Sequence, residues 1–245
     1  MKKPSRVRRF ARFVLRGGRR SAGAAGPLEA KPKLVVFDFD GTLADTFANA
    51  FEILNILAPE FGFRPLALSE LELARDMRTR DVMKFLGIRA TKMPGISRRG
   101  TEELHKRMGG IRPFAGILEL LGQVRAAGFR LGILTSNSEQ NVTTFLRNNG
   151  LGEFDFIQSS SKLMGKASVI RRILKANKLK AREVLLIGDE TRDIEAAQEV
   201  GVHIVAVTWG YNSARSIREL QPDYLVDSVP ELASLLGAIN QLQTS

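Results

Sequence analysis

Short runs of acidic and hydroxyl-bearing residues follow three apolar segments of the sequence. Asp38 and Asp40 open the first run, Thr135 and Ser136 lie in the second, and residues 188–193 form the third. In open α/β sheets, ligands bind in the crevice beyond the carboxyl ends of the strands. If the three apolar segments are neighbouring parallel strands, we expect these polar side chains to meet in one crevice.

Carboxylates that are brought together repel one another, and a crevice that holds several of them needs a hard cation to keep them ionised at neutral pH. Mg²⁺ suits this role because it prefers oxygen ligands and leaves several positions to water and phosphate oxygens. Asp38 and Asp189 are the predicted metal ligands. Once the cation reduces repulsion from an anionic phosphate, a carboxylate can attack phosphorus in line. Asp38, at the end of a buried strand, is the predicted nucleophile.

Other residues in the same runs could complete a site for phosphoryl transfer. Asp40 has the reach to protonate a leaving alcohol and then to deprotonate the water that hydrolyses the acyl phosphate. The Ser136 hydroxyl is expected to donate to the phosphoryl oxygens. Further phosphate contacts are predicted around the first and second runs, at Gly41, Thr42 and Asn137.

A cation is needed opposite the metal. Lys166, just before a predicted helix, could supply it and also hold Asp38 in place. Asp193 lies four residues after Asp189 and could bind the metal through water, or cap a helix and orient Lys166. We favour this second, supporting role for Asp193.

The elements that position these residues alternate between short β-branched runs and amphipathic helical patterns. This alternation is typical of an α/β fold with a parallel sheet, and continuous apolar strands indicate burial on both faces. The predicted strands are Leu34 to Phe37, Leu131 to Leu134, Val184 to Ile187, His203 to Val207 and Tyr224 to Val226.

One long segment interrupts this alternation. Residues 47–112 contain helical patterns but no convincing strand, which predicts a helical insertion over the strand ends, here called the cap. The expected organisation is a basic tail (1–32), a catalytic core (33–46 and 113–245) and the cap (47–112). Cap arginines could neutralise a second acidic group on a substrate, although exposed arginines are usually only solvated; they are Arg75, Arg78 and Arg80.

The net charge of +11 is concentrated at the N-terminus. Residues 1–33 contain eleven Lys or Arg and one acid, so the rest of the chain sums to only about +1. The tail is predicted to be a mobile extension that could contact an anionic membrane or nucleic acid. No obligate protein partner is inferred.

Composition excludes several kinds of protein. The chain has no cysteine, which rules out disulfides, thiolate nucleophiles and zinc–cysteine clusters. No apolar run is long enough for a membrane span, and no secretory h-region follows the basic start. We predict a cytoplasmic protein, or an organellar one if the basic N-terminus is a transit peptide.

The order of the motifs resembles that of the haloacid dehalogenase superfamily. Residues 38–46 resemble its first motif, residues 132–137 the second, Lys166 the third, and residues 188–193 the fourth. The resemblance covers roughly residues 33 to 230. It implies a Rossmann-like three-layer core with a helical cap, and a Mg²⁺-dependent phosphatase similar to the phosphoglycolate phosphatase branch, acting on a small phosphorylated metabolite. It also implies that the backbone carbonyl of Asp40 contributes to the metal site.

An alternative residue remains for the third-motif lysine and for the second-motif hydroxyl. Many relatives have proline after the third-motif lysine, whereas Ala167 follows Lys166 here, so Lys162 is an alternative. Thr135 competes with Ser136 because strand ends are uncertain by a residue or two. The two histidines, His105 and His203, are predicted to be structural.

Three other functions share part of the pattern. A phosphotransferase of the β-phosphoglucomutase type would return the phosphoryl group to a sugar. A dehalogenase is disfavoured because metal-free family dehalogenases generally lack the second aspartate, present here as Asp40. The third alternative is a binding protein that uses the basic tail and leaves the site idle.

Overall fold

The computed structural model describes residue 28, residues 30–160 and residues 165–242. Six parallel strands form one sheet in the order β3-β2-β1-β4-β5-β6. The strands are β1 (Leu34–Phe37), β2 (Arg130–Thr135), β3 (Phe156–Ser159), β4 (Val184–Gly188), β5 (His203–Val207) and β6 (Tyr224–Val226). The predicted α/β fold with a parallel sheet is confirmed.

Ten α-helices lie in the described part of the chain. They are α1 (Phe47–Phe61), α2 (Leu71–Arg75), α3 (Thr79–Phe85), α4 (Met93–Arg107), α5 (Ile117–Ala126), α6 (Glu139–Asn148), α7 (Gly165–Asn177), α8 (Thr191–Val200), α9 (Ala214–Glu219) and α10 (Val229–Asn240). Short 3₁₀ turns occupy Leu68–Glu70, Ala90–Lys92 and Ala181–Glu183.

The sheet is the middle of three layers. Side chains along a strand point alternately to its two faces, and β1 shows this directly. Val35 and Phe37 pack in one apolar cluster with α5, α6 and α10, whereas Leu34 and Val36 pack in a second cluster with α7, α8 and α9. Both faces of β1 are therefore buried, as its uninterrupted apolar sequence predicted.

One strand was not predicted. The strand β3 lies at the edge of the sheet, and its first three residues are only partly buried while Ser159 is exposed. Its sequence, Phe-Ile-Gln-Ser, lacks both the continuous apolar run of a central strand and a clear alternation. The other five strands occupy their predicted positions, with β2 and β4 extending one residue or so beyond them.

Residues 47–112, proposed as the cap, contain helices α1 to α4 and no strand. Helices α1 and α4 pack together, and Gly100 of α4 lies close to Ile53 and Leu57 of α1. The two connections between the cap and the sheet run side by side. The Asp45 N–H donates to the Arg112 carbonyl at 3.0 Å, close to the boundaries proposed from the sequence.

The packed part of the chain begins before the proposed core boundary at residue 33. Leu28 is buried in the apolar cluster. Lys31 donates to the Ala127 carbonyl at 2.6 Å and lies over the Phe129 ring. Residues 1–27, to which the predictions about a mobile or membrane-binding tail apply, lie outside the described residues. Among the described helices, none has the length and apolar character needed to cross a membrane.

The β2–β3 pairing generates a test of the edge strand. Gly132 faces Phe156 in the sheet register, and a Cβ added at Gly132 would lie 2.2 Å from the tip of the Phe156 ring. We expect Gly132→Ala to lower the free energy of unfolding by about 1–3 kcal/mol, because overpacking forces neighbours to shift. In a Phe156→Leu background the same substitution should cost much less, as measured by urea denaturation. An equal cost in both backgrounds would contradict this packing.

Candidate active site

The polar runs meet at the carboxyl ends of the central strands. Asp38 directly follows β1 and Asp189 directly follows β4, which are adjacent in the sheet. The strand order diverges at this pair, since β1 continues to β2 and β3 on one side and β4 to β5 and β6 on the other. Such a switch point opens a crevice at the carboxyl edge. Carboxylate oxygens of Asp38, Asp189 and Asp193 lie within 4.8 Å of one another there.

A buried ammonium group joins two of these carboxylates. The Nζ atom of Lys166, in the first turn of α7, donates to Asp38 Oδ2 at 2.5 Å and also to Asp193 Oδ1. The three side chains are only 4%, 3% and 1% exposed, respectively. Asp193 also accepts from the Glu190 N–H at the start of α8. Asp193 thus both contacts Lys166 and caps a helix.

Asp189 is held by two donors and by close backbone packing. Its Oδ1 accepts from the Thr42 hydroxyl at 2.6 Å, and its Oδ2 accepts from the Tyr211 N–H at 2.7 Å. A Cβ at Gly41 or Gly210 would lie 2.3 or 2.2 Å from Asp189 Oδ2. Gly41 also has φ +79°, a conformation that other residues rarely adopt. Both loops can reach Asp189 only because they carry glycine at these positions.

Among the described residues, the site contains more acidic than basic groups. Five carboxyl groups face two cations; the acids are Asp38, Asp40, Asp189, Glu190 and Asp193, and the cations are Lys166 and Arg192. Burial raises the pKa of Asp38 to about 7, although Lys166 opposes the shift. Burial, together with the neighbouring acids, raises the pKa of Asp189 well above its ordinary value.

This surplus charge fits a hard divalent cation. Closely spaced, desolvated carboxylate oxygens are the donors that Mg²⁺ prefers, and the cation would offset the repulsion that raises these pKa values. Asp38 and Asp189 lie on the strand ends around the crevice. Asp193 is less suited to a direct role, because its two oxygens already accept from Lys166 and from the Glu190 N–H.

Asp40 lies beside this cluster and is partly exposed. Both of its carboxylate oxygens accept from Asn137 Nδ2, at 3.2 and 3.1 Å. Burial raises the pKa of Asp40 to about 6, whereas hydrogen bonds from Thr46 and Asn137 act in the opposite direction. A carboxyl group with a pKa near neutrality can both donate and accept a proton under physiological conditions.

The two hydroxyls that end β2 have different surroundings. Thr135 is buried, and its Oγ1 accepts from the Asn137 N–H at 2.9 Å. Ser136 Oγ accepts from Arg192 Nη2 at 3.3 Å. The Thr135 hydroxyl is therefore engaged inside the chain, which favours Ser136 as the hydroxyl that faces a ligand.

Several predicted phosphate contacts have other partners in the structure. The Gly41 N–H donates to the Ala44 carbonyl at 2.9 Å, and the Asn137 N–H is engaged by Thr135. The Thr42 hydroxyl holds Asp189. A phosphate could bind these groups only if it replaced their existing hydrogen bonds. In this structure they hold the loops and the carboxylate of the site in place.

Two of the three cap arginines singled out in the sequence have partners in the core, Arg75 and Arg78. The Arg75 guanidinium donates to the carbonyls of Gly210 and Tyr211, at 3.1 and 3.2 Å. Arg78 pairs with Glu195 on α8. Arg75 therefore connects the cap to the loop around Asp189. Lys162, the competitor of Lys166, lies outside the described residues.

Sequence reasoning overlooked two residues at the site. Arg192 pairs with Glu190 and donates to Ser136. Its place in the fourth run, between Asp189 and Asp193, could have indicated from the sequence that it lies at the site. Asn141, in the first turn of α6, contacts Asn137. Its position gave no comparable signal, because the contact depends on how α6 packs beneath the second run.

Comparison with known proteins agrees with this geometry. The family model for haloacid dehalogenase-like hydrolases matches residues 35–207. The phosphoglycolate phosphatase of Synechococcus elongatus is 34% identical over 209 residues, covering 85% of this chain and 97% of the relative. That of Nitrosospira multiformis is 29% identical over 219 residues, covering 83% and 95%.

Solved structures share the fold. A haloacid dehalogenase-like family protein from Streptococcus pneumoniae superposes with a TM-score of 0.63 at 23% identity, covering 82% of this chain and 97% of the other. The family model and the Synechococcus elongatus relative each span most of the chain, including all four motifs. The chain therefore belongs to the haloacid dehalogenase-like hydrolases, as a phosphoric monoester hydrolase that resembles the phosphoglycolate phosphatases of that family.

Proposed function

We propose that the enzyme is a Mg²⁺-dependent phosphatase that hydrolyses 2-phosphoglycolate, or a closely similar small phosphate monoester, through an aspartyl-phosphate on Asp38. The observation that carries this proposal is the position of Asp38, which lies beyond a central strand, contacts the Lys166 ammonium and is within 4.8 Å of the Asp189 carboxylate. The substrate is proposed from the relatives, several of which are phosphoglycolate phosphatases.

The proposed Mg²⁺ ligands are the carboxylates of Asp38 and Asp189 and, by family resemblance, the backbone carbonyl of Asp40. When bound, the metal would neutralise charge on the phosphoryl group and so reduce its repulsion by the carboxylates. Thr42 and the Tyr211 N–H hold Asp189 from the side of the loops. These contacts leave the carboxylate little freedom to turn away.

In the first half-reaction, an oxygen of Asp38 attacks phosphorus and the bond from phosphorus to the leaving oxygen breaks. The leaving oxygen takes its proton from Asp40, so that a neutral alcohol departs. Lys166 fixes the Asp38 carboxylate through its contact with Oδ2, and the Phe39 N–H donates to Oδ1 at 2.8 Å. The carboxylate is thus preoriented for attack.

In the second half-reaction, Asp40 accepts a proton from water as the water attacks phosphorus. The bond from phosphorus to Asp38 breaks, which releases inorganic phosphate and restores the free carboxylate. Ser136 is proposed to donate to a phosphoryl oxygen, with Arg192 beside it as a second positive charge. Asn137 contributes by holding Asp40.

Phosphate release from a panel of esters tests the metal and the substrate together. We expect 2-phosphoglycolate to give the highest kcat/KM, and EDTA to reduce release to background because the carboxylates then repel the anionic substrate. Added Mg²⁺ should restore the rate. Full activity in chelator would refute the metal role, and an isomerised sugar phosphate without free phosphate would indicate a phosphotransferase.

Asp38→Asn tests the nucleophile. We expect turnover to fall by at least about 10³-fold, roughly 4 kcal/mol of transition-state stabilisation, because the amide cannot form the acyl phosphate. An acid-quenched, hydroxylamine-sensitive phosphoenzyme should form in the wild type and be missing in the variant. Asp81→Asn, at a half-exposed side chain paired with Lys84, is the control and should keep normal turnover. Phosphoenzyme in the Asp38 variant would disprove the assignment.

Lys166→Met tests the buried ion pairs through stability. Removing one partner leaves buried charge unpaired, so we expect the metal-free protein to lose about 3 kcal/mol or more in urea denaturation. Lys33→Met, which breaks an exposed pair with Glu183, should have a much smaller effect.

The loss in Lys166→Met should also depend on pH. When folding raises the pKa of a carboxyl group, the folded protein becomes less stable as pH rises from the unfolded-state pKa through the folded-state pKa. The pKa of Asp38 is already raised to about 7, and without Lys166 it should rise further. The difference in the free energy of unfolding between wild type and variant should therefore be larger at pH 8 than at pH 5.5. A gap that did not change with pH would contradict the proposed pairing.

A further inference from the structure

A chain of side-chain hydrogen bonds connects the cap to Asp40. On the cap helix α4, His105 Nδ1 lies 2.6 Å from Asn141 Oδ1. Asn141 Nδ2 donates to Asn137 Oδ1 at 2.8 Å, and Asn137 Nδ2 donates to the Asp40 carboxylate. Four residues from the cap, helix α6 and two strand ends are thus linked in series.

Backbone groups fix the direction of this chain. The Thr101 carbonyl can only accept, so the atom of Asn141 that lies 3.1 Å from it must be Nδ2. Asn141 Oδ1 then faces His105, whose Nδ1 must carry the proton. Likewise, the Ser138 N–H can only donate, and it lies 2.8 Å from Asn137 Oδ1, which turns Asn137 Nδ2 towards Asp40. Every donor in the series therefore points towards the carboxylate.

The central member of the chain is deeply buried. Asn141 is 1% exposed, and its amide oxygen and nitrogen have all the partners just named. A buried amide is unfavourable unless its hydrogen bonds are made. An apolar residue at this position on α6 would avoid that cost but could not bind Asn137. The fold thus keeps a polar group where helix packing alone does not need one.

We infer that Asn141 is a positioning residue that orients Asn137, and through it the Asp40 carboxylate, in response to the cap residues Thr101 and His105. The inference rests on the proposed role of Asp40 as the acid that protonates the leaving group. His105, which the sequence suggested to be structural, then supports the reaction from the cap. A displaced α4 would remove two partners from Asn141 and loosen the orientation of Asp40.

Leaving-group dependence separates this role from a general structural one. An alkyl phosphate such as 2-phosphoglycolate needs a proton on its leaving oxygen, whereas p-nitrophenolate is stable enough to depart without one. Misorientation of Asp40 should therefore slow the first substrate far more than p-nitrophenyl phosphate. A structural defect would slow both substrates alike.

The test measures release of glycolate and of p-nitrophenolate in single turnovers, with enzyme in excess, so that only the first half-reaction is observed. For Asn141→Leu we expect glycolate release to slow by about tenfold or more and p-nitrophenolate release by less than about threefold. Asn149→Ala is the matched control, because Asn149 ends the same helix and bonds to the Ile111 and Phe145 carbonyls. It should leave both rates unchanged.

A milder pair of variants keeps the test valid if Asn141→Leu does not fold. His105→Ala removes an exposed donor without changing the core, and should slow glycolate release selectively by about threefold. His105→Gln retains an N–H donor and should recover part of the rate. Equal slowing of both substrates by the Asn141 and His105 variants would overturn the inference. A wild type that forms no phosphoenzyme would instead overturn the proposed function.

Discussion

The ammonium group of Lys166 is the contact on which the rest of the site depends. It lies at the start of α7 and joins Asp38, at the end of β1, to Asp193, in the first turn of α8. These three elements are distant in sequence and meet only because β1 and β4 are neighbours in the sheet. In a nearly solvent-free interior, separating any one of the three charges would leave the others poorly compensated. The ion pairs therefore fix Asp38, the proposed nucleophile, relative to both flanking helices.

The same arrangement brings several carboxylates together, where they repel one another. Burial and neighbouring acids raise the pKa values of Asp38 and Asp189, which means that the metal-free fold holds these carboxylates in an unfavourable position. Hydrophobic packing on both faces of the sheet offsets this cost, and close approaches at Gly41 and Gly210 prevent Asp189 from relaxing away. Such a locally unfavourable cluster is typical of functional sites, where the binding of a cation or substrate supplies the missing interaction.

Much of the fold could be predicted because the central strands are apolar on both faces. The segments that became β1, β5 and β6 have the predicted limits, and the polar residues that follow β1, β2 and β4 converge as strand ends in a parallel sheet must. The edge strand β3 was missed because half-burial weakens its apolar pattern. The partners of Arg75 and Asn141 could not be predicted either, because they depend on where the cap helices lie against the core. Arg75, expected at a substrate or in solvent, instead donates to backbone carbonyls of residues 210 and 211.

Two buried amide side chains, Asn212 and Asn141, connect the cap to the core beside the site. Asn212 accepts from the Thr191 N–H at the start of α8 and donates to the cap carbonyls of Arg75 and Met77. Asn141 similarly joins the Thr101 carbonyl of the cap to Asn137 in the core. If the cap moved away, these amides would lose partners, at about 1–3 kcal/mol for each buried group that water did not reach. The cap therefore has a preferred position over the crevice, and that position is the one in which both the Asp189 loop and the Asp40 carboxylate are fully supported. One placement of the cap therefore satisfies two separate sets of hydrogen bonds, those of Asn212 next to the Asp189 loop and those of Asn141 next to Asn137.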